Sequence, residues 1–260
     1  MKKFLLFKKK FQTESRFSKM PFRRTEDGFT LIELITVFII MGIMSTILLF
    51  NFRTFDGKMQ FENISQDIAL RIVEAQKSAM TGKVNPNFVG RDVKPAYGVY
   101  FSSAPTAGTA NKKFVYFTDI PGVGSGSGTS TGNKLYDPPT GVFVCNGAST
   151  TGNECLSVTT ITTGEYVDNI CYKTLTGSKS CTGSYASDLT VLFVRPFSDA
   201  SLIIHQPSTA LTTPIVVQSA CIELASPIYI NSKRTIVISN LGQIGSYNLP
   251  ATSTTLPCQS

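Results

Sequence analysis

Gly28, Phe29 and Glu33 are the residues of this chain whose types and spacing point most directly to chemistry. They open an apolar run, FTLIELITVFIIMGIMSTILLF from Phe29 to Phe50, in which Glu33 is the only charge. A charged side chain near the centre of a membrane helix costs roughly 2.5–3.5 kcal/mol, so a plain anchor would be expected to lack one. The carboxylate becomes tolerable when an ammonium compensates it, and left unpaired it selects for docking. A glycine ends the basic leader just before the run. The arrangement reads as a processing site followed by a carboxylate that awaits a partner within the membrane.

Other candidate groups are dispersed. Six cysteines, Cys145, Cys155, Cys171, Cys181, Cys221 and Cys258, all lie in the half expected to leave the cytoplasm. An even count there favours disulfides. The equal spacings suggest Cys145 with Cys155 and Cys171 with Cys181, leaving Cys221 for Cys258. No C-x-x-C occurs and His205 is the only histidine, so no metal site is expected. His205, between Ile203-Ile204 and Gln206-Pro207, reads as a solitary structural histidine at a strand end. Asp119 and Asp137 flank a Gly/Ser stretch and could meet if it closes; turn and capping roles are favoured over Ca²⁺ binding, because no EF-hand order is present. The stretch itself, GVGSGSGTSTG from Gly122 to Gly132, lacks the context of a phosphate-binding loop and reads as a surface insertion. No G-x-S-x-G elbow occurs. Neither an active site nor a cofactor is expected.

The elements that must position Gly28, Phe29 and Glu33 are a leader and a long helix. The leader carries Lys2, Lys3, Lys8, Lys9, Lys10, Arg16, Lys19, Arg23 and Arg24 against Glu14, Glu26 and Asp27. That bias places the N-terminus in the cytoplasm and sends the bulk of the chain across the membrane. Phe29 to Phe50 exceeds the about 20 residues needed to span a bilayer. A secretory signal does not fit, since Phe4-Leu5-Leu6-Phe7 is too short and no small-x-small site follows the long run. The chain's formal charge of +7 also belongs to the leader: nine of 24 basic and three of 17 acidic residues lie there, leaving 15 against 14. A nucleic-acid footprint is therefore not established by charge.

Helical periodicity continues beyond the membrane segment. Phe61, Ile64, Ile68, Ile72, Ala75 and Ala79 form one apolar stripe, while Asp67 and Arg71 form an i,i+4 pair on another face. Asn51 to Lys58 is the weakest part, where a kink or local melting is expected. Gly82, then Asn85-Pro86, stops the helix. From Lys83 onward short β-runs alternate with Gly, Ser, Thr, Asn and Pro. The expected strands are Tyr97–Phe101, Phe114–Thr118, Gly141–Cys145, Leu189–Val194, Ser201–His205, Ile215–Leu224, Ile228–Ile230, Thr235–Ser239 and Gln243–Tyr247. The fold class is α+β: a long N-terminal helix, transmembrane then amphipathic, packed on a C-terminal domain of antiparallel β-sheets. The divisions are 1–28, a leader to be removed; 29–50, the transmembrane helix; 51–82, its amphipathic continuation; and 83–260, a disulfide-braced β-rich domain.

Gly28-Phe29-Thr30-Leu31-Ile32-Glu33-Leu34 closely resembles the class III signal of type IV pilins and of type II secretion pseudopilins. The resemblance implies that a prepilin peptidase cuts between Gly28 and Phe29 and methylates the new Phe29 amine. It also implies that Glu33 meets the N-terminal amine of a neighbouring subunit. The leader is long for that family, and the apolar segment lacks the proline many pilins carry near its end. Tyr97 to Phe101, Phe114 to Asp119 and the hairpin from Thr235 to Ile244 resemble the GspH/FimT-like minor pseudopilins, which implies a pilin-like domain. The function implied is a non-enzymatic filament subunit, a minor pilin or pseudopilin. It would lie in the cytoplasmic membrane, N-terminus inside, before joining an extracytoplasmic filament. Its partners would be other pilin subunits, the prepilin peptidase, an inner-membrane assembly platform and the lipid bilayer. Pilus, secretion and competence systems all remain open. One alternative is a DNA-binding competence pilin; the hairpin segment Gly242-Gln243-Ile244-Gly245 lacks arginine, and Lys233-Arg234 read as solvated charges guarding a strand edge. The other is a membrane-tethered surface enzyme.

Overall fold

No proline lies between Pro21 and Pro86, and one helix, α1 (Leu31–Thr81), occupies most of that interval. The computed structural model describes residues 28–85, 94–103, 110–121, 132–137, 143, 145, 153–181, 188–205, 215–227 and 232–250. By its internal contacts the chain divides into two units, at Phe50 and Asn51.

The described part of the first unit is the start of α1. Leu31–Leu49 has a mean hydropathy of 2.4 and is long and apolar enough to cross a membrane, and none of it is buried by the protein. Its hydroxyls bond back to the helix itself: Thr36 Oγ1 donates to Glu33 O (2.8 Å), Ser45 Oγ to Met41 O (2.7 Å) and Thr46 Oγ1 to Gly42 O. In hydrocarbon, where water is absent, polar groups need such internal partners.

In the second unit the helix carries its stripe into a core. Ile68, Ile72, Ala75 and Ala79 are fully buried with Phe61 beside them, and Ile64 packs against the same cluster. The backbone is helical through Asn51–Lys58, so the expected local melting there is not observed. Arg71 pairs with Glu74 at 3.0 Å rather than with Asp67. The helix ends at Gly82, whose φ of 63° suits a residue without Cβ. The Gly82 N–H donates to Ala79 O and the Lys83 N–H to Ser78 O (3.1 and 3.2 Å), the paired bonds of a Schellman motif.

The β-strands are β1 (Ala96–Ser102), β2 (Lys113–Asp119), β3 (Cys155–Thr160), β4 (Tyr166–Thr174), β5 (Lys179–Cys181), β6 (Asp188–Phe193), β7 (Ala200–His205), β8 (Ile215–Ala225), β9 (Ser232–Ser239) and β10 (Ile244–Pro250). A 3₁₀ turn (Ala110–Lys112) leads into β2. All strand pairs are antiparallel, and the hydrogen-bonded order is β10-β9-β8-β7-β6-β1-β2-β3, with β4 joined to β8 and β5 joined to β4. The expected several sheets are thus one connected ten-stranded sheet. Strand β8 makes the connection: Ile215–Val217 pair with β7, and from Ser219 onward the strand lies between β4 and β9.

Helix α1 covers one face of this sheet. Tyr97, Val99 and Phe101 of β1, Phe114 and Tyr116 of β2, and Leu189, Val191 and Phe193 of β6 share the cluster with the helix stripe. Tyr116 Oη donates to Ser78 Oγ (3.0 Å), and Tyr97 Oη to Lys83 O (3.1 Å). The alternate residues Tyr100, Val115, Phe117 and Leu192 form a second cluster under Tyr136, Phe143, Cys145 and Cys155. With both faces covered, β1 and β2 read as continuous apolar runs rather than alternating ones.

Strands β3, β4 and β5 are additions to the expected set. Of Gly141–Cys145, only Phe143 and Cys145 are described, and neither is in a strand. Ile228–Ile230, the leader through Asp27 and the stretch from Gly122 to Thr131 lie outside the described residues.

Candidate functional site

The start of α1 is built by its own side chains. Thr30 precedes the first helical residue, Leu31, and Glu33 is the third residue in. The Glu33 N–H donates to Thr30 Oγ1 (3.3 Å), while Glu33 Oε2 accepts from the Thr30 N–H and from Thr30 Oγ1 (both 2.9 Å). This reciprocal pair is a capping box, satisfying donors that the first helical turn leaves open. It also places the carboxylate at the positive end of the helix dipole. Thr30 is a capping residue that reading Glu33 as an isolated charge misses; the T-x-x-E spacing at the head of the apolar run was its signal.

Gly28 and Phe29 lie before the helix, both exposed, Phe29 at 89%. Among the described residues, chain neighbours aside, no atom lies within 4 Å of the point where a Cβ on Gly28 would stand. The Gly28–Phe29 peptide therefore lies outside the helical ladder, between two exposed residues. Chemically, the site offers an exposed peptide bond and, four residues after Phe29, a carboxylate held, among the described residues, by its own helix cap.

The remaining sequence candidates fall in the second unit. Cys145 is bonded to Cys155, and Cys171 to Cys181 across the β4–β5 pair. Cys221 is disulfide-bonded too; Cys258 lies outside the described residues. His205 does not stand alone. Its Nδ1 lies 3.7 Å from Asp188 Oδ2, across the β6–β7 pair. Ser102 faces Asp188 from β1, giving a row Ser102–Asp188–His205. The carboxylate occupies the middle, so serine and histidine are two strand spacings apart, about 9–10 Å. This row does not form the serine–imidazole bond of a hydrolytic triad.

Asp119 and Asp137 do approach one another, together with Glu154, and they bond within the turn: Asp119 takes the Lys134 N–H and Asp137 the Asn133 amide. Asp119 is 4% exposed and Glu154 fully buried. Burial pushes the Glu154 carboxyl up to about 8, against two backbone N–H bonds that lower it. Burial likewise pushes Asp119 up to about 6, and raises Asp137. Among the described residues no group of three or more His, Cys, Asp or Glu is arranged to hold a metal ion.

Lys233 and Arg234 are not solvated edge charges. They lie on β9, an interior strand between β8 and β10. Lys233 Nζ bonds Glu223 Oε1 (2.9 Å) and Asp168 Oδ2 (3.1 Å), and Arg234 pairs with Glu62 of α1. Both cations are neutralised within the domain, which leaves little at this hairpin for phosphate.

Residues 23–49 match the family described as the prokaryotic N-terminal methylation motif. The match takes in the class III prepilin signal and the apolar segment behind it, and stops before the β-rich domain. No curated protein and no solved structure matches the chain.

Proposed function

We propose that this chain, which carries the class III prepilin signal, is a minor pilin or pseudopilin made as a precursor and assembled through its N-terminal helix. The observation that carries the reading is the methylation motif at residues 23–49, set on an exposed Gly28–Phe29 junction ahead of a capped helix. A prepilin peptidase hydrolyses the Gly28–Phe29 peptide on the cytoplasmic face, and the new Phe29 amine is methylated. In the free subunit, Glu33 is compensated by the Thr30 N–H and hydroxyl. During assembly the ammonium of a neighbouring Phe29 offers that carboxylate an opposite charge, a stronger partner in a medium of low dielectric.

The apolar start of α1 then exchanges lipid for the helices of neighbouring subunits, and the α+β domain, pilin-like in this reading, forms the outer surface. The chain acts by packing, not by catalysis. Its partners are other pilin or pseudopilin subunits, the prepilin peptidase, an inner-membrane platform and the bilayer.

Processing and assembly separate in two variants. Gly28→Leu, co-expressed with an active prepilin peptidase, leaves the precursor at full length on a gel while the wild type shortens. Glu33→Leu is cleaved but does not enter sheared filaments. Equal processing of Gly28→Leu and wild type removes the cleavage assignment; normal incorporation of Glu33→Leu removes the docking role.

A further inference from the structure

The segment 132–137 is held to the sheet by carboxylates instead of a strand ladder. Glu154 spans its neck: Oε1 accepts the Ile120 N–H (3.0 Å) and Oε2 the Asp137 N–H (2.8 Å). Asp119 Oδ2 accepts the Lys134 N–H (3.1 Å), and Asp137 Oδ2 accepts Asn133 Nδ2 (2.6 Å). The second oxygen of Asp119, Oδ1, is buried with no hydrogen-bond partner. It lies so close to Gly132 that a Cβ there would overlap it.

Two further features mark the segment. Lys134, at φ 67°, is the one non-glycine residue with positive φ among the described residues, a conformation costing about 1–2 kcal/mol for an L-residue. Such strain persists only where surroundings enforce it, and it gathers at clamps and switches. Tyr136 lies over the second core, its ring 5.3 Å from that of Tyr100 and 5.2 Å from that of Phe117. Whatever holds 132–137 therefore also holds the cover of that core.

We propose that Asp119, Asp137 and Glu154 form a proton-operated latch, in which protons retained by the cluster keep segment 132–137 on the sheet and their loss releases it. Two buried carboxylates, Asp119 and Glu154, set beside the half-buried Asp137 resist ionising together. Among the described residues the groups facing them are few. The segment supplies Lys134 and Tyr136, and Tyr136 meets Tyr100 of β1, which is itself hydrogen-bonded to Asp188 of β6. Lys134 is the one cation in this set and is exposed.

The sign of the effect follows from the direction of the shifts. Burial raises the carboxyls in the latched form, so the latched form binds protons that the open form releases. Latch stability is complete at acid pH. It declines as pH rises through about 6 at Asp119 and about 8 at Glu154.

The test is amide hydrogen exchange of residues 134–137 in the full chain in detergent micelles, from about pH 5 to about pH 9, corrected for intrinsic exchange. Protection of these amides is expected to fall at least about tenfold across the range, one pKa unit of differential proton binding being tenfold. The amides of β1 and β6 keep theirs. Asp119→Asn, which retains an oxygen acceptor for the Lys134 N–H and removes a charge, flattens the fall. Unchanged protection in the wild type across the range overturns the latch, whatever the variant does. An Asp119→Asn profile that matches the wild type removes Asp119 from it.

Discussion

The two halves of α1 both carry isoleucines, in different surroundings. Ile40 and Ile43, in the first unit, are more than half exposed, while Ile68 and Ile72, in the second, are fully buried. Hydropathy separates them, since only the first is apolar enough to cross a membrane, and so does pattern. From Leu31 to Leu49 apolar residues face every direction, and no single sheet can cover a helix all round. From Phe61 to Ala79 the buried residues keep to one stripe, with Asn63, Gln66 and Lys77 exposed on other faces. A sheet closes over that stripe completely. The second half thus finds its partner within the chain, while the first is unburied and long and apolar enough to cross a membrane.

Truncations of equal size offer the widest contrast. Ile72→Ala, in the buried stripe, is expected to cost about 2–5 kcal/mol of domain stability, the transfer loss plus a cavity. Ile40→Ala is expected to change the same quantity by less than about 0.5 kcal/mol. Urea unfolding of the full chain in detergent, followed through tyrosine because tryptophan is absent, reads both. Equal losses would erase the distinction between the halves.

The two ends of the helix differ as well, and a smaller effect is expected there. The first end is capped by side chains, Thr30 and Glu33; the second by backbone geometry at Gly82. Gly82→Ala forces an L-residue into the left-handed region, for about 1–2 kcal/mol. Its Cβ would also stand 2.5 Å from Arg195 Nη1, so that guanidinium must move. The same urea titration reports the loss. A neutral Gly82→Ala would mean that the paired terminal bonds survive without the glycine.

How much of this was legible in the sequence depended on whether local pattern and burial agreed. The stripe from Phe61 to Ala79 agreed with its surroundings, and so did β1, β2, β6, β7, β8 and β9, whose apolar runs are intact. Strand β4 was hidden because Asp168 and Asn169 interrupt its apolar residues where the pairing with β8 shifts register. Strand β5, Lys179–Cys181, is exposed throughout and carries no apolar pattern beyond its cysteine. The prepilin-like signal was legible because its residues are contiguous. The cluster of Asp119, Asp137 and Glu154 was only half visible. Nothing local tells that Glu154 is buried, since its burial is imposed by the neck it spans.

The smallest effect separates a sequence rule from its structural outcome on the solvent side of the second half. Both Asp67 and Glu74 stand within helical reach of Arg71, at i−4 and i+3, and spacing alone cannot choose between them. The guanidinium takes Glu74, at 3.0 Å, with both side chains more than a third exposed. Pairs so open to water contribute about 0.3–0.5 kcal/mol on a helix and weaken with salt. Glu74→Gln should therefore lower stability by no more than about 0.5 kcal/mol, and by less in high salt, while Asp67→Asn should leave it unchanged in either. A larger loss from Asp67→Asn would restore the i,i+4 pair and show that the helix surface in solution follows spacing. The expected order, Glu74 above Asp67 and both far below Ile72, would place the stability of this half in its buried stripe.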